Sequence, residues 1–217
     1  MDGVKNVRRY DASHRQEQAA QNRSRILDAA RQLFLDSGYA AAAMPEIARA
    51  AGVSVQTVYK VFSNKATLLK AVFDVSVAGD DEAEPMAERD SIQGVVAEPD
   101  AARKIDRYAR LLAADAHRFV PVQLVARDAA TADGAAAQVW AQIRQETLGA
   151  MTMFAADLQA TGRVRADLTA DEVRDLLWTF HSPEIYEMLV LERGWTAERY
   201  GWFLAEAMSA AVLRRDG

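Results

Sequence analysis

Residues 38–70 read GYAAAAMPEIARAAGVSVQTVYKVFSNKATLLK, and the spacing inside this stretch decides the fold. Ala51-Gly52-Val53 signals a tight turn between two short helical segments, about Met44 to Ala51 and Ser54 to Phe62. Glycine suits the turn because it tolerates positive φ, and Ala48 supplies a small side chain where two helices must pack closely. In the second segment Val58 and Phe62 stand at i and i+4, so they are expected to face a core. That leaves Gln56, Tyr59, Lys60 and Ser63 on the opposite face, with Val55 and Thr57 flanking it and Ser54 as the N-cap. A small helix beside a second helix that exposes polar residues at its start is an arrangement that reaches into the DNA major groove.

Working outward, the periodicity predicts a helix from about Gln16 to Ser37 with Ile26, Ala30, Leu33 and Phe34 on one face, stopped at Gly38. Another is expected from Asn64, a good N-cap, to about Val77. The run Gly79-Asp80-Asp81-Glu82-Ala83-Glu84-Pro85 reads as a linker. The expected organisation is a flexible basic arm at 1–15 and a helix-turn-helix DNA-binding domain at 16–78, its motif at about 43–62. An acidic linker at 79–87 then leads to a helical ligand-binding and dimerisation domain at 88–217. Helices are predicted there at about 88–97, 100–118, 121–131, 134–161, 170–192 and 196–214. Thr169 and Glu172 form a capping box, Gly162 and Gly194 are natural stops, and Pro183 should kink or split its helix. Alternating strand patterns are missing, so the expected fold class is all-α.

The 217 residues suffice for one large domain or two modest ones. Zero cysteines exclude disulfides and thiolate chemistry and fit a reducing cytoplasm. The N-terminal stretch lacks the apolar region of a signal peptide, and no apolar run approaches the roughly 18 residues of a membrane span. The overall charge of −5 hides an asymmetry. Residues 1–70 hold 11 Lys+Arg against 6 Asp+Glu, while residues 71–217 hold 15 against 25. A basic front on an acidic body is expected when only one end meets phosphates. Lys5, Arg8, Arg9 and Arg15 read first as a plain solvated leader, with a basic arm that tracks phosphates or enters a minor groove as the functional alternative.

The combination Gly38-Tyr39, Ile47-Ala48, Ala51-Gly52-Val53-Ser54, Thr57-Val58-Tyr59, Phe62 and Lys65-Ala66-Thr67-Leu68-Leu69 resembles the N-terminal domain of the tetracycline-repressor (TetR) family over about residues 20–72. The resemblance implies a homodimeric, all-helical transcriptional regulator, usually a repressor released from its operator by a small molecule. It also implies that Thr57, Tyr59 and Lys65 hold the phosphate backbone, while Val55, Gln56 and Lys60 face bases or backbone. The chain departs from the family pattern at the first helix of the motif. Glu46 is present, but Ala42 and Ala43 stand where a capping Ser or Thr is usual, a loss worth about 1 kcal/mol that Pro45 partly offsets.

In the body, Tyr200, Leu204, Met208 and Ala211 form one stripe of the last helix, and Leu176 and Phe180 lie on the helix before it. Together they are expected to make a two-fold four-helix dimer face, which would match an inverted-repeat operator in double-stranded DNA, with internal core packing as the alternative. Tyr108, Leu112, Trp140, Met151, Phe154, Trp178 and His181 are the candidates for lining a cavity that takes a small apolar or aromatic effector, with ordinary core packing as the alternative. His117 and His181 lack the Glu-x-x-His spacing of helical metal sites, so no metal or cofactor is expected. An all-α enzyme finds no support, because there is no Gly-x-Ser-x-Gly, no phosphate-binding glycine loop and no cysteine. A DNA-independent interaction module and an activator of the same fold remain as alternatives, distinguishable by salt-dependent duplex binding and operator position.

Overall fold

The computed structural model describes residues 3–79 and 90–214, with side chains from residue 16 onward. The side chains assigned to the arm and most of the acidic linker lie outside the described residues. The helices are α1 (Gly3–Ala41), α2 (Met44–Ala50), α3 (Val55–Val61), α4 (Lys65–Ala78), α5 (Asp90–Val96), α6 (Ala101–Ala129), α7 (Gly134–Ala160), α8 (Ala170–Phe180), α9 (Pro183–Tyr186) and α10 (Ala197–Val212). A π-helical turn, Glu187–Glu192, follows α9. The fold is all-α, and the chain divides into two compact units: residues 1–76 with 125–139, and residues 77–124 with 140–217.

In the first unit, α1 breaks at Gly38, whose φ of 76° is the left-handed conformation that glycine adopts cheaply. Its helical backbone reaches back to Gly3 instead of starting near Gln16. Ile26, Phe34, Ile47, Val58, Leu68 and Leu69 are fully buried, each stabilising the unit by about 1.5–3 kcal/mol. As the sequence predicts, α2 starts without a side-chain cap: Ala43 is extended, and Pro45 occupies the first turn. The start of α4 is closed reciprocally. Thr67 N–H donates to Asn64 Oδ1 at 2.9 Å, and Asn64 N–H donates to Thr67 Oγ1 at 3.3 Å.

In the second unit, α6 runs uninterrupted through Pro121, where the sequence predicts a break between two helices. Proline removes one helical hydrogen bond at a cost of about 3 kcal/mol. Phe119, Val120, Val122 and Leu124 are all buried around it, and their combined burial outweighs that cost. The expected helix over 170–192 does split at Pro183, which takes the first position of α9 behind Ser182. Its second half then winds as the π turn, a register that simple periodicity does not encode. The Thr169–Glu172 capping box opens α8, with Thr169 N–H donating to Glu172 Oε2 at 2.7 Å.

Ile105, Leu158, Leu177, Met208 and Val212 centre the core of this unit. Its end is stapled by an isolated bridge between Val164 and Leu213, with Arg165 N–H donating to Val212 O at 2.9 Å and Arg214 N–H to Arg163 O at 3.0 Å. Gly201 lets α10 approach α6 closely. A Cβ at that position would stand 3.1 Å from the Ala113 Cβ.

Candidate nucleic-acid interface and a half-open cavity

The turn between α2 and α3 is built from the chain itself. Gly52 adopts φ 65°, and Val53 N–H closes the bend by donating to Ala48 O at 3.0 Å. Ser54 is extended and caps α3, its Oγ accepting from Thr57 N–H at 3.0 Å and lying 2.8 Å from Thr57 Oγ1. Val58 and Phe62, 0% and 4% exposed, pin the inner side of α3 to the core. The helical period then turns Gln56, Tyr59 and Lys60 to solvent, with Tyr59 50% exposed. Val55 and Thr57 are half-buried at the margin. The outward face therefore offers an amide that both donates and accepts, a phenol and an ammonium, which suit base edges and phosphates.

Lys65 is placed differently from its neighbours. Its Nζ donates to Tyr39 O at 2.6 Å and Ala40 O at 3.3 Å, and stands 4.2 Å above the Tyr39 ring. The ammonium thus ties the start of α4 to the carbonyls at the end of α1. Burial holds its pKa below the ordinary lysine value, partly opposed by the charge of Asp133. Burial also pushes the Tyr39 phenol up to about 12, with Asp133 adding to the effect. Lys65→Met, which keeps the stem and removes the charge, is expected to lower stability by about 1–2 kcal/mol in urea titrations. The dependence of DNA affinity on salt should stay unchanged; a slope shallower by about one per protein chain bound would return this ammonium to a phosphate.

The second unit holds a cavity of about 210 Å³ lined by Gln123, Trp140, Arg144, Trp178, His181 and Pro183, among others. Three residues expected at an effector site, Trp140, Trp178 and His181, meet there. Tyr108, Met151 and Phe154 instead pack in the hydrophobic core, Tyr108 against Phe154 with ring centroids 4.6 Å apart. Leu112 is half-buried on α6 and does not line the cavity. Gln123 and Arg144 also line the cavity, and periodicity alone does not single them out. A lone amide inside the apolar run Phe119 to Ala126 is the signal that marks Gln123. Arg144 lies over both indoles, 4.5 Å from the Trp178 ring and 5.6 Å from that of Trp140.

His181 caps the end of α8 beside Phe119 and Tyr108, each ring 6.4 Å away. Burial lowers its pKa from 6.5 to about 4, so the imidazole is neutral at pH 7. As pH falls, the unfolded chain takes up this proton first. The associated stability is complete above about 6.5 and is lost as pH drops toward 4. Wild-type protein is therefore expected to lose roughly 2–3 kcal/mol through this group over that window, and His181→Phe should flatten the curve in urea titrations from pH 7 to 4.

The dimer stripe read from the sequence divides in the structure. Tyr200, Leu204 and Met208 are at most 2% exposed and lie in the unit's own core, because the helical period that aligns them also turns them toward the neighbouring helices. Leu176, Phe180 and Ala211 are half-buried. The large apolar side chains that reach solvent in this unit include Met153 and Trp202, 67% and 57% exposed. Among the described residues no cluster of acidic or histidine side chains could hold a metal ion, and no helix is long and apolar enough to cross a membrane.

A helix-turn-helix unit with an exposed polar face on its second helix is thus joined to a second all-helical unit. Residues 26–72 match the family model described as bacterial regulatory proteins, tetR family. Among curated proteins no sequence matches the chain. Solved structures share its fold. The regulator FadR from Bacillus subtilis, in complex with stearoyl-CoA, is 21% identical with a TM-score of 0.68, covering 87% of this chain and 98% of its own. NalD, the secondary repressor of the MexAB-OprM multidrug efflux pump in Pseudomonas aeruginosa, is 19% identical with a TM-score of 0.68, covering 91% and 100%. The fatty acid degradation regulator FadR from Bacillus halodurans is 20% identical with a TM-score of 0.67, covering 89% and 97%.

Proposed function

We propose that this protein is a homodimeric, cytoplasmic repressor that binds an inverted-repeat operator through α3 and releases it when a small molecule enters the cavity of the second unit. One observation carries the reading: Val58 and Phe62 anchor α3 so that Gln56, Tyr59 and Lys60 all face solvent. Gln56 reads a base edge, Val55 packs against a thymine methyl, and Tyr59 and Lys60 hold phosphates, with Ser54 and Thr57 at the helix start close to the backbone. Lys65 positions the domain through α1. The effector and repressor elements draw support from the cavity beside Trp140, Trp178 and His181, and from relatives of the same fold that include a repressor and a regulator crystallised with an acyl-CoA. Helix α4 runs past Ser76 into the second unit, which supplies a covalent route for coupling. Trp202 is exposed and suits a dimer contact.

Selecting duplexes from random DNA and titrating them tests the reading. The wild type should enrich an inverted repeat and sediment as a dimer. Gln56→Ala should relax preference at one base pair per half-site by about 1–3 kcal/mol. Unchanged preference at every position would remove Gln56 from the reading face.

A further inference from the structure

We propose that the cavity of the second unit takes a small, uncharged aromatic molecule carrying a hydroxyl or N–H donor, which pairs with Gln123 Oε1 while its ring lies against the indoles of Trp140 and Trp178. This rests on the effector reading above and names the chemical class of the effector. The argument begins with unmet hydrogen-bonding capacity. Gln123 is 3% exposed, yet its buried Oε1 has no hydrogen-bond partner, and neither does the buried Nδ1 of His181 on the same cavity wall. More than about nine in ten buried polar atoms in folded proteins are paired, so two unpaired atoms lining one cavity point to a ligand that satisfies them.

The character of the other lining groups sets the ligand's polarity. Thr147 and Thr179 also line the cavity, but their hydroxyl hydrogens are already given to their own helices, to Ile143 O at 3.0 Å and Asp175 O at 2.8 Å. They therefore present only acceptor lone pairs. Gln123 Oε1 is an acceptor as well, so the ligand must be the donor. His181 is neutral and can accept at Nδ1 or donate from it according to its tautomer.

A cation is repelled, and a carboxylate must offset the attraction of Arg144 against three acceptor oxygens. Arg144, the charged residue on the lining, repels a cation and is already stacked on both indoles. A carboxylate would set its oxygens against the acceptors of Gln123 and the two threonines. Size gives the last constraint. At about 210 Å³ the space lies below the roughly 300 Å³ at which drug-sized sites begin, so one or two rings fit and a long acyl chain does not.

The test measures direct binding of three probes to the full chain by calorimetry: 4-methylphenol, toluene and 4-methylbenzoate. The wild type is expected to bind 4-methylphenol at least about tenfold more tightly than either of the others, the factor a buried hydrogen bond commonly commands. In Gln123→Met, of similar size but without the amide, the phenol and the hydrocarbon should bind within about twofold of each other. Toluene binding as tightly as the phenol, 4-methylbenzoate binding best, or no probe binding would each overturn the proposal. So would a preference that survives Gln123→Met. The wild-type comparison decides even if the variant does not fold. Operator affinity at saturating 4-methylphenol then separates the two readings. Selective binding with unchanged DNA affinity would defeat the effector role and leave the ligand class standing. DNA binding with no probe bound would defeat the class and leave the regulator standing.

Discussion

Replacing Tyr59 and Lys60 together by alanine is expected to weaken binding to every duplex by roughly two orders of magnitude, with little change in melting temperature. Both side chains point to solvent from α3, with Tyr59 50% exposed, so neither supports the core. In the proposed homodimer each replacement is made twice, and each lost Lys60–phosphate contact should make the dependence of log affinity on log salt shallower by about one, while the neutral Tyr59 leaves that slope unchanged. Fluorescence anisotropy with a selected operator and a scrambled duplex, over a series of salt concentrations, gives both quantities. An affinity equal to wild type on both duplexes would show that α3 does not meet DNA. The sequence-independent loss also separates this pair from Gln56, whose replacement should act on base preference.

Removing Asp157 is expected to destabilise the second unit by about 2–4 kcal/mol, whereas removing its partner costs less. Lys104 is 2% exposed and donates to Asp157 Oδ2 at 2.5 Å and to Val96 O at 2.8 Å. Asp157 keeps a third of its side-chain surface in water. Asp157→Ala strands an ammonium with one carbonyl, and water cannot take over the lost bond. Lys104→Met leaves a carboxylate that solvent can reach, so about 1 kcal/mol is expected there. Urea titrations of the two variants measure the asymmetry. Equal losses would show that Lys104 is solvated when the pair is broken. The buried lysine couples α6 to α7 and to the end of α5, outside both the reading face and the cavity.

The helix-turn-helix unit was legible because local signals decide it. Gly38 and Gly52 take the positive φ that their positions predict, Ser54 and Asn64 cap as expected, and the i, i+4 spacing of Val58 and Phe62 determines which face of α3 is wet. Features set by tertiary partners were not legible. The cost of Pro121 is visible in the sequence, but the burial that overrides it depends on contacts from elsewhere in the chain. Lys65 looks like any surface lysine until the end of α1 is folded beneath it. The same limit explains the body: periodicity shows that Tyr200, Leu204 and Met208 share a face, not whether that face meets its own core or another copy. Trp140 and Trp178 were found by size, while Gln123 needed the cavity around it to acquire a meaning.

Gly201 makes the thickness of a single methyl group matter to the whole last helix. The Ala113 methyl and the backbone behind it set the gap there, since an added carbon would sit 3.1 Å from the Ala113 Cβ and 3.5 Å from the Arg110 Cα. Tyr200 and Leu204, on the same rigid rod, would travel outward with it and loosen contacts on two neighbouring helices at once. The residue is a shim of zero width, and widening it would alter the alignment of every side chain that α10 carries inward.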